Sequence, residues 1–314
     1  MKLKKMMALV LCAATVAGLG LTGCGNSDNG AADNAGSAAT ESGSTGSADA
    51  SSDFSGNISV LSREDGSGTR GAFIELFGIE VKNDAGEKED MTTVDATITN
   101  NTEVMMSTVA GNEYAIGYCS LGSLNDTVKA VKIDGAEATT ENVSNGTYKV
   151  SRPFNIVTKG EVKELPADFI KFIMSKDGQK IIEDEGYISV NDNAEAYKAS
   201  GLKGSITLAG STSVSPVMEV LADKYKELNS GVTIEIQQTG SGAGIQSTTE
   251  GVCDIGMASR ELKDEETSQG LKSEEIALDG IAVIVNKDNG VEDLSMDQIM
   301  KIFTGEITNW ADVK

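Results

Sequence analysis

Residues 63 to 71 read Arg-Glu-Asp-Gly-Ser-Gly-Thr-Arg-Gly. Hydroxyls, glycines and two arginines in so short a run are the groups that hold an oxyanion: O–H and N–H donors supply neutral hydrogen bonds, and a guanidinium offers two parallel ones. Two further stretches have related chemistry, Gly210 to Ser215 (GSTSVS) and Thr239 to Gly244 (TGSGAG). One Gly/Ser loop before a helix is usually a turn or a helix cap. Three in one chain are harder to dismiss.

The elements around these loops share one grammar. An apolar, β-branched run precedes each loop (from Ile58, from Ser205 and from Val232), and a helix is expected after each, with apolar positions at helical spacing such as Phe73, Leu76 and Phe77 and Val217, Val220, Leu221, Tyr225 and Leu228. Strand, tight loop and helix start place unpaired N–H groups and a partial positive charge at the loop, which makes it an anion cradle. The runs Asp279–Asn286 and Pro153–Lys159 read as strands buried on both faces. Helices are expected at Pro166–Ser175, Gly178–Glu185 and Ser295–Phe303. Alternating strands and helices imply an α/β protein with mostly parallel sheets, whose ligands sit at the carboxyl ends of strands.

Composition narrows the function. With 48 acidic and 26 basic residues the formal charge is −22, which argues against nucleic acid and against docking on anionic lipid heads. A closed anion site is still compatible with this charge, because distant charges are screened over about 8–10 Å while local donors act at contact. The chain has no histidine, and it contains no CxxC, HExxH or GxSxG motif. Metal or triad catalysis is therefore not expected, nor is a cofactor. Cys119 and Cys253 sit in unrelated apolar runs and read as small buried hydrophobes.

Lys2, Lys4 and Lys5 precede an apolar run from Met6 to Leu21 that ends in Leu21-Thr-Gly-Cys24, the pattern of a secretory leader and too short for a transmembrane helix. It resembles a bacterial lipoprotein signal, which implies removal of residues 1–23 and lipidation of Cys24. Residues 24–56 are then a tether of small polar residues with a reach of roughly 30 Å.

Many stretches together resemble the substrate-binding protein of the phosphate-specific ABC transporter: ITLAGSTSVSPVMEVLADKY, QTGSGAGI, CDIGMASREL, DGIAVIVNKDN, MDQIMKIFTGEITNWADV, SREDGSGTRGAF, YAIGYCSLG, VSRPFNIVTKGE and IMSKDGQKIIEDEGYISV. They cover nearly all of 57–190 and 204–314. In the family the segment resembling 204–314 comes first. The chain therefore reads as a circular permutation, with the usual ends joined through Asn191–Lys203 and new ends opened between Lys314 and Asn57; a cloning or gene-calling artefact is the alternative, which a leader and tether fitted before the permuted start disfavour.

The resemblance implies a two-lobed type II periplasmic-binding-protein clamshell, each lobe a mainly parallel sheet flanked by helices. Crossings would fall near Ser151–Ile156 and Gly280–Asn286. One lobe would combine 57–152 with 285–314, and the other would be 153–284. Both new ends then belong to one lobe, leaving hinge closure free. The phosphate-binding residues implied are Thr212, Ser213 and Ser241 from one lobe and Arg63, Ser67, Gly68 and Thr69 from the other. Asp65 either holds the Arg63 guanidinium or is a solvated turn residue.

Where the family carries an aspartate that accepts the phosphate proton, this chain has Arg260, which either joins the anion site or braces its lobe through an ion pair. The implied function is extracytoplasmic capture of inorganic phosphate and its delivery to the permease and ATPase subunits of an ABC transporter, by a monomer anchored to the membrane through lipid. A receptor for sulfate or molybdate is the alternative, since helix starts and hydroxyls suit these anions too. A phosphatase is not expected.

Overall fold

The computed structural model describes residues 54–83 and 85–313. The leader, Cys24 and the tether as far as residue 53 lie outside the described residues. The main sheet runs edge to edge through Val232–Gln238, Gly204–Gly210, Ile255–Ala258, Ser151–Lys159, Leu271–Val285, Ala115–Ser120, Ser59–Arg63 and Thr97–Thr99, with Lys129–Ala130 added to the fifth of these. Its two ends are parallel. Gly204–Gly210 lies parallel to both its neighbours, and so does Ser59–Arg63.

The two long strands between them are antiparallel to each other and to the strands they meet. The sheets are therefore mixed at the middle rather than parallel throughout. The reason is connectivity: one long strand leaves the first half and the other returns to it, so they must cross in opposite directions.

Side chains alternate along a strand, and the returning strand shows it. Ile281, Val283 and Val285 face a core with Phe73, Tyr118 and Phe303, while Ala282 and Ile284 face Met105, Val109 and Cys119. In the other half, Phe154, Ile156, Ile206, Leu208 and Ile255 pack beneath Phe169, Val217, Leu221 and Tyr225, and Ile245 covers the opposite face. Ile281–Val285 are also registered with Ile116–Ser120. Along this strand Ala277 belongs to the second core and Leu278 packs against the first, so the cores change over beside Asp279.

The helices lie close to where periodicity puts them, at Glu164–Ile173, Lys176–Asp184, Ser215–Leu228, Ser241–Glu250 and Met296–Thr304. The last opens with Ser295 and Gln298 capping each other's backbone N–H and stops at Gly305, whose φ of 83° is open to glycine. The segment 191–203 is held down: Tyr197 and Ser200 donate their hydroxyls to Asp168 Oδ2 at 2.6 and 2.7 Å, and Tyr225 joins them at 2.7 Å. At the other junction, Trp310 N–H donates to Gly56 O at 2.9 Å and Phe54 stacks on Tyr114. The tether expected to extend to residue 56 is thus packed from Phe54 onward.

Candidate anion site

Helix starts from both halves meet at one cluster of hydroxyls. Helix Gly68–Leu76 and helix Thr102–Ala110 come from the first half; the loop before Ser215–Leu228 and the start of Ser241–Glu250 come from the second. Ser67 Oγ and Asn101 Oδ1 cap their own helices, accepting from Arg70 N–H and Val104 N–H. Helix Ser241–Glu250 has no side-chain cap. Instead its Gly242 N–H donates to Gly66 O across the cleft at 3.0 Å.

The bonds that cross between the halves name the site. Arg63 Nη2 donates to Thr212 Oγ1 at 3.0 Å, and Thr69 Oγ1 lies 2.9 Å from Ser213 Oγ. Thr102 Oγ1 is 3.4 Å from both Thr212 Oγ1 and Ser213 Oγ. Within the second half, Ser241 Oγ accepts from Ser259 N–H at 3.1 Å, and Ser211 Oγ donates to Ser259 Oγ at 2.9 Å. All of these hydroxyls are buried. Each carries one proton and two acceptor positions, so each can turn its O–H onto an oxyanion placed among them.

Gly68 is needed here for space. A Cβ on it would collide with Ser241 Oγ and Ser259 Oγ of the opposite half. Arg63, 2 % exposed, is the cation of the cluster, and its fork is aimed by a neighbour. Glu64 takes Arg63 Nε and Nη2 at 2.8 Å each, leaving the outer edge toward Thr102 and Thr212. The Arg63 N–H donates to Tyr118 Oη at 3.1 Å, and burial pushes that phenol up to about 12, so it stays neutral. Arg70 completes the cradle by donating to Arg63 O at 2.9 Å while pairing with Asp90.

The structure brings together Arg63, Ser67, Gly68, Thr69, Thr212, Ser213 and Ser241, and it does not bring Arg260 to them. Both Arg260 terminal nitrogens are taken by Glu266 at 2.8 Å, and Nη1 also reaches Glu261 O. Of the two readings of Arg260, this geometry is that of a brace. Asp65 is an exposed turn residue that accepts from Gly66 N–H, and Glu64 fills the position beside Arg63 instead.

Thr102, Ser211 and Ser259 join the cluster without having been expected. Thr102 follows a β-branched triplet and opens a helix, Thr97-Ile-Thr-Asn-Asn-Thr102, which is the same grammar with asparagines in place of glycines.

A large cavity lies beside the cluster rather than in it. It has a volume of about 1100 Å³ and is lined from both halves, by Gly71, Glu75, Arg152, Arg260, Lys263 and Glu265 among others. We place the chemistry at the hydroxyls because they gather buried donors from both halves around the Arg63 guanidinium, whereas the acids and bases lining the cavity nearly balance. Among the described residues no group of three or more cysteine, aspartate or glutamate side chains is arranged to hold a metal ion. Cys119 is buried and its thiol is pushed up to about 12 by desolvation, which leaves it no nucleophile.

The PBP superfamily domain matches residues 44–177 and 195–314. The chain belongs to this superfamily and, within it, to the family of phosphate-binding proteins called PstS. Phosphate-binding protein PstS 2 of Streptococcus agalactiae serotype V is 56 % identical over 266 residues, 84 % of this chain and 90 % of that protein. The crystal structure of a phosphate-binding protein of a phosphate ABC transporter from Streptococcus pneumoniae TIGR4 superposes with a TM-score of 0.67 at 48 % identity, covering 82 % of this chain and all of that one. Phosphate-binding protein PstS of Bacillus subtilis is 38 % identical over 127 residues, only 40 % of this chain and 42 % of that protein. Within the PBP superfamily, the two-cored α/β architecture described above is the family's own.

Proposed function

We propose that the protein captures inorganic phosphate outside the cytoplasm and hands it to the permease of an ABC transporter. The observation that carries this reading is the cross-cleft pair Arg63–Thr212, set among buried hydroxyls and helix starts of both halves. Such an array of neutral donors with one aimed guanidinium suits a small, doubly charged oxyanion. The relatives named above are phosphate-binding proteins, which favours phosphate among the tetrahedral anions. The phosphate contacts would be made by Arg63, Ser67, Gly68, Thr69, Thr212, Ser213 and Ser241, with Thr102 added. Arg260 would stand outside them.

The protein is a binder without turnover in this reading, since the site offers donors and no activated nucleophile. Cys24 would carry the lipid, the tether would hold the domain near its permease, and the working form would be a monomer. The order of the chain would be permuted. A match to the Bacillus subtilis protein that stops at less than half of either chain supports this, because a rearranged order aligns collinearly over one part alone.

Calorimetric titration of residues 54–314, stripped of ligand by partial unfolding and dialysis, tests the function. One-to-one binding of phosphate, with sulfate and molybdate at least about a hundredfold weaker, is the expected result. Tighter binding of sulfate or molybdate would replace phosphate as the ligand.

A further inference from the structure

Two oppositely charged residues are buried where the cores divide. Arg152 and Asp279 face each other on the two crossing strands, with Nη2 and Oδ2 3.1 Å apart and side chains 2 % and 1 % exposed. Val150 and Ile281 on one side belong to the first core, and Phe154 and Ala277 on the other belong to the second. A buried ion pair is poor evidence for stability, because desolvating two charges consumes most of their attraction and well-packed apolar residues do as well. Its use must be sought in what it touches.

It touches both halves. Asp279 Oδ1 accepts from Ser120 Oγ at 2.9 Å and from Gly122 N–H at 3.4 Å, at the end of a first-half strand. Arg152 Nη1 reaches Ser259 O at 3.4 Å, and Asn155 Nδ2 on the same crossing strand donates to Arg260 O at 3.1 Å. The Ser259 peptide is therefore pinned through its carbonyl by the crossing strand, while its N–H and hydroxyl belong to the anion cluster. The cationic head also sits 5.3 Å over the Phe154 ring, which fixes its height.

We propose that Arg152 and Asp279 are positioning residues for the anion site: the pair locks the waist at the angle that brings the two half-sites together and holds the Ser259 peptide at the height its hydroxyl needs. This rests on the phosphate-binding reading. Arg152 meets the cluster only through the Ser259 carbonyl, and neither residue bonds to its hydroxyls.

The decisive variant is the double Arg152→Met, Asp279→Leu, because either single change strands a buried charge and endangers folding. The double variant is expected to melt close to the wild type yet to bind phosphate about tenfold or more weakly, with the loss in the off-rate. Hydrogen exchange of the ligand-free proteins should show the Ser259 amide less protected in the variant. Asn155→Ala keeps both charges and is expected to weaken phosphate several-fold.

Restoration of affinity and of Ser259 protection together with stability in the double variant would overturn the proposal, as would an unchanged affinity in Asn155→Ala should the double variant not fold. Failure of the wild type to bind phosphate would overturn the proposed function instead, and the exchange of the Ser259 amide would then judge the waist pair alone.

Discussion

Arg63 and Thr212 stand 149 residues apart in the chain and on opposite halves of the molecule, yet the guanidinium donates to the hydroxyl at 3.0 Å. The bond exists only when the halves are closed on each other. Each partner is therefore a reporter of closure as well as a proposed ligand group.

Arg63→Lys keeps the charge and loses the fork, so Glu64 can no longer aim two donors into the cluster. Phosphate affinity should fall roughly ten- to a hundredfold, the equivalent of about 1.5–3 kcal/mol for a hydrogen bond to a charged group. Calorimetry checks it. Affinity within threefold of wild type would remove Arg63 from the site.

Gly68→Ala separates binding from stability. Alanine is at least as good a helix residue as glycine at this first position after the Ser67 cap, so the open form loses nothing. Its methyl, however, strikes Ser241 Oγ and Ser259 Oγ on closure. Phosphate affinity should drop by at least about tenfold while the melting temperature of the ligand-free protein holds or rises; equal affinity would mean that the halves close differently.

How far the sequence can be read is visible in these residues. The three cradles are legible because everything that defines them is local: a β-branched run, small residues and a helical period within some twenty positions. Thr102 escaped because its strand is only Thr97–Thr99 and its turn is built from asparagines. Glu64 and Asp65 are indistinguishable by type, and only the backbone decides which side chain turns back along the strand toward Arg63. Arg152 and Asp279 sit 127 residues apart, and each alone reads as a polar interruption of an apolar strand. Pairings at that range are set by register, which no spacing displays.

Arg260→Met tests the brace. Losing its pair with Glu266 should cost about 1 kcal/mol in denaturant unfolding, with the phosphate-to-sulfate affinity ratio unchanged. Burial would raise the Glu266 carboxyl, but its bonds to Arg260 and to Lys263 N–H outweigh this and hold it below its ordinary value. A lowered folded-state pKa contributes stability above the ordinary carboxylate range, and this is lost as pH falls through the folded value. The gap between wild type and Arg260→Met should accordingly narrow below about pH 4. A changed anion ratio would return Arg260 to the site.

Asp168→Asn tests the segment 191–203. Burial would raise the Asp168 carboxyl, but the hydroxyls of Tyr197, Tyr225 and Ser200 reverse this and lower it. Asparagine accepts these bonds more weakly and adds a donor among donors. The variant should lose about 1–3 kcal/mol of stability and gain protease sensitivity within 191–203, with phosphate affinity within about twofold. A matching loss of affinity would show that this segment bears on the site.

The junction at Gly56 and Trp310 has a mechanical consequence. Phe54 and Gly56 are held by the first half, through the stack on Tyr114 and the Trp310 N–H to Gly56 O bond. A pull or restraint applied from the N-terminal side is borne by that half, and no load passes through the crossing strands. The second half hangs as the free jaw of a vice whose other jaw is bolted to the bench, so fastening the chain at its front leaves the grip unimpeded.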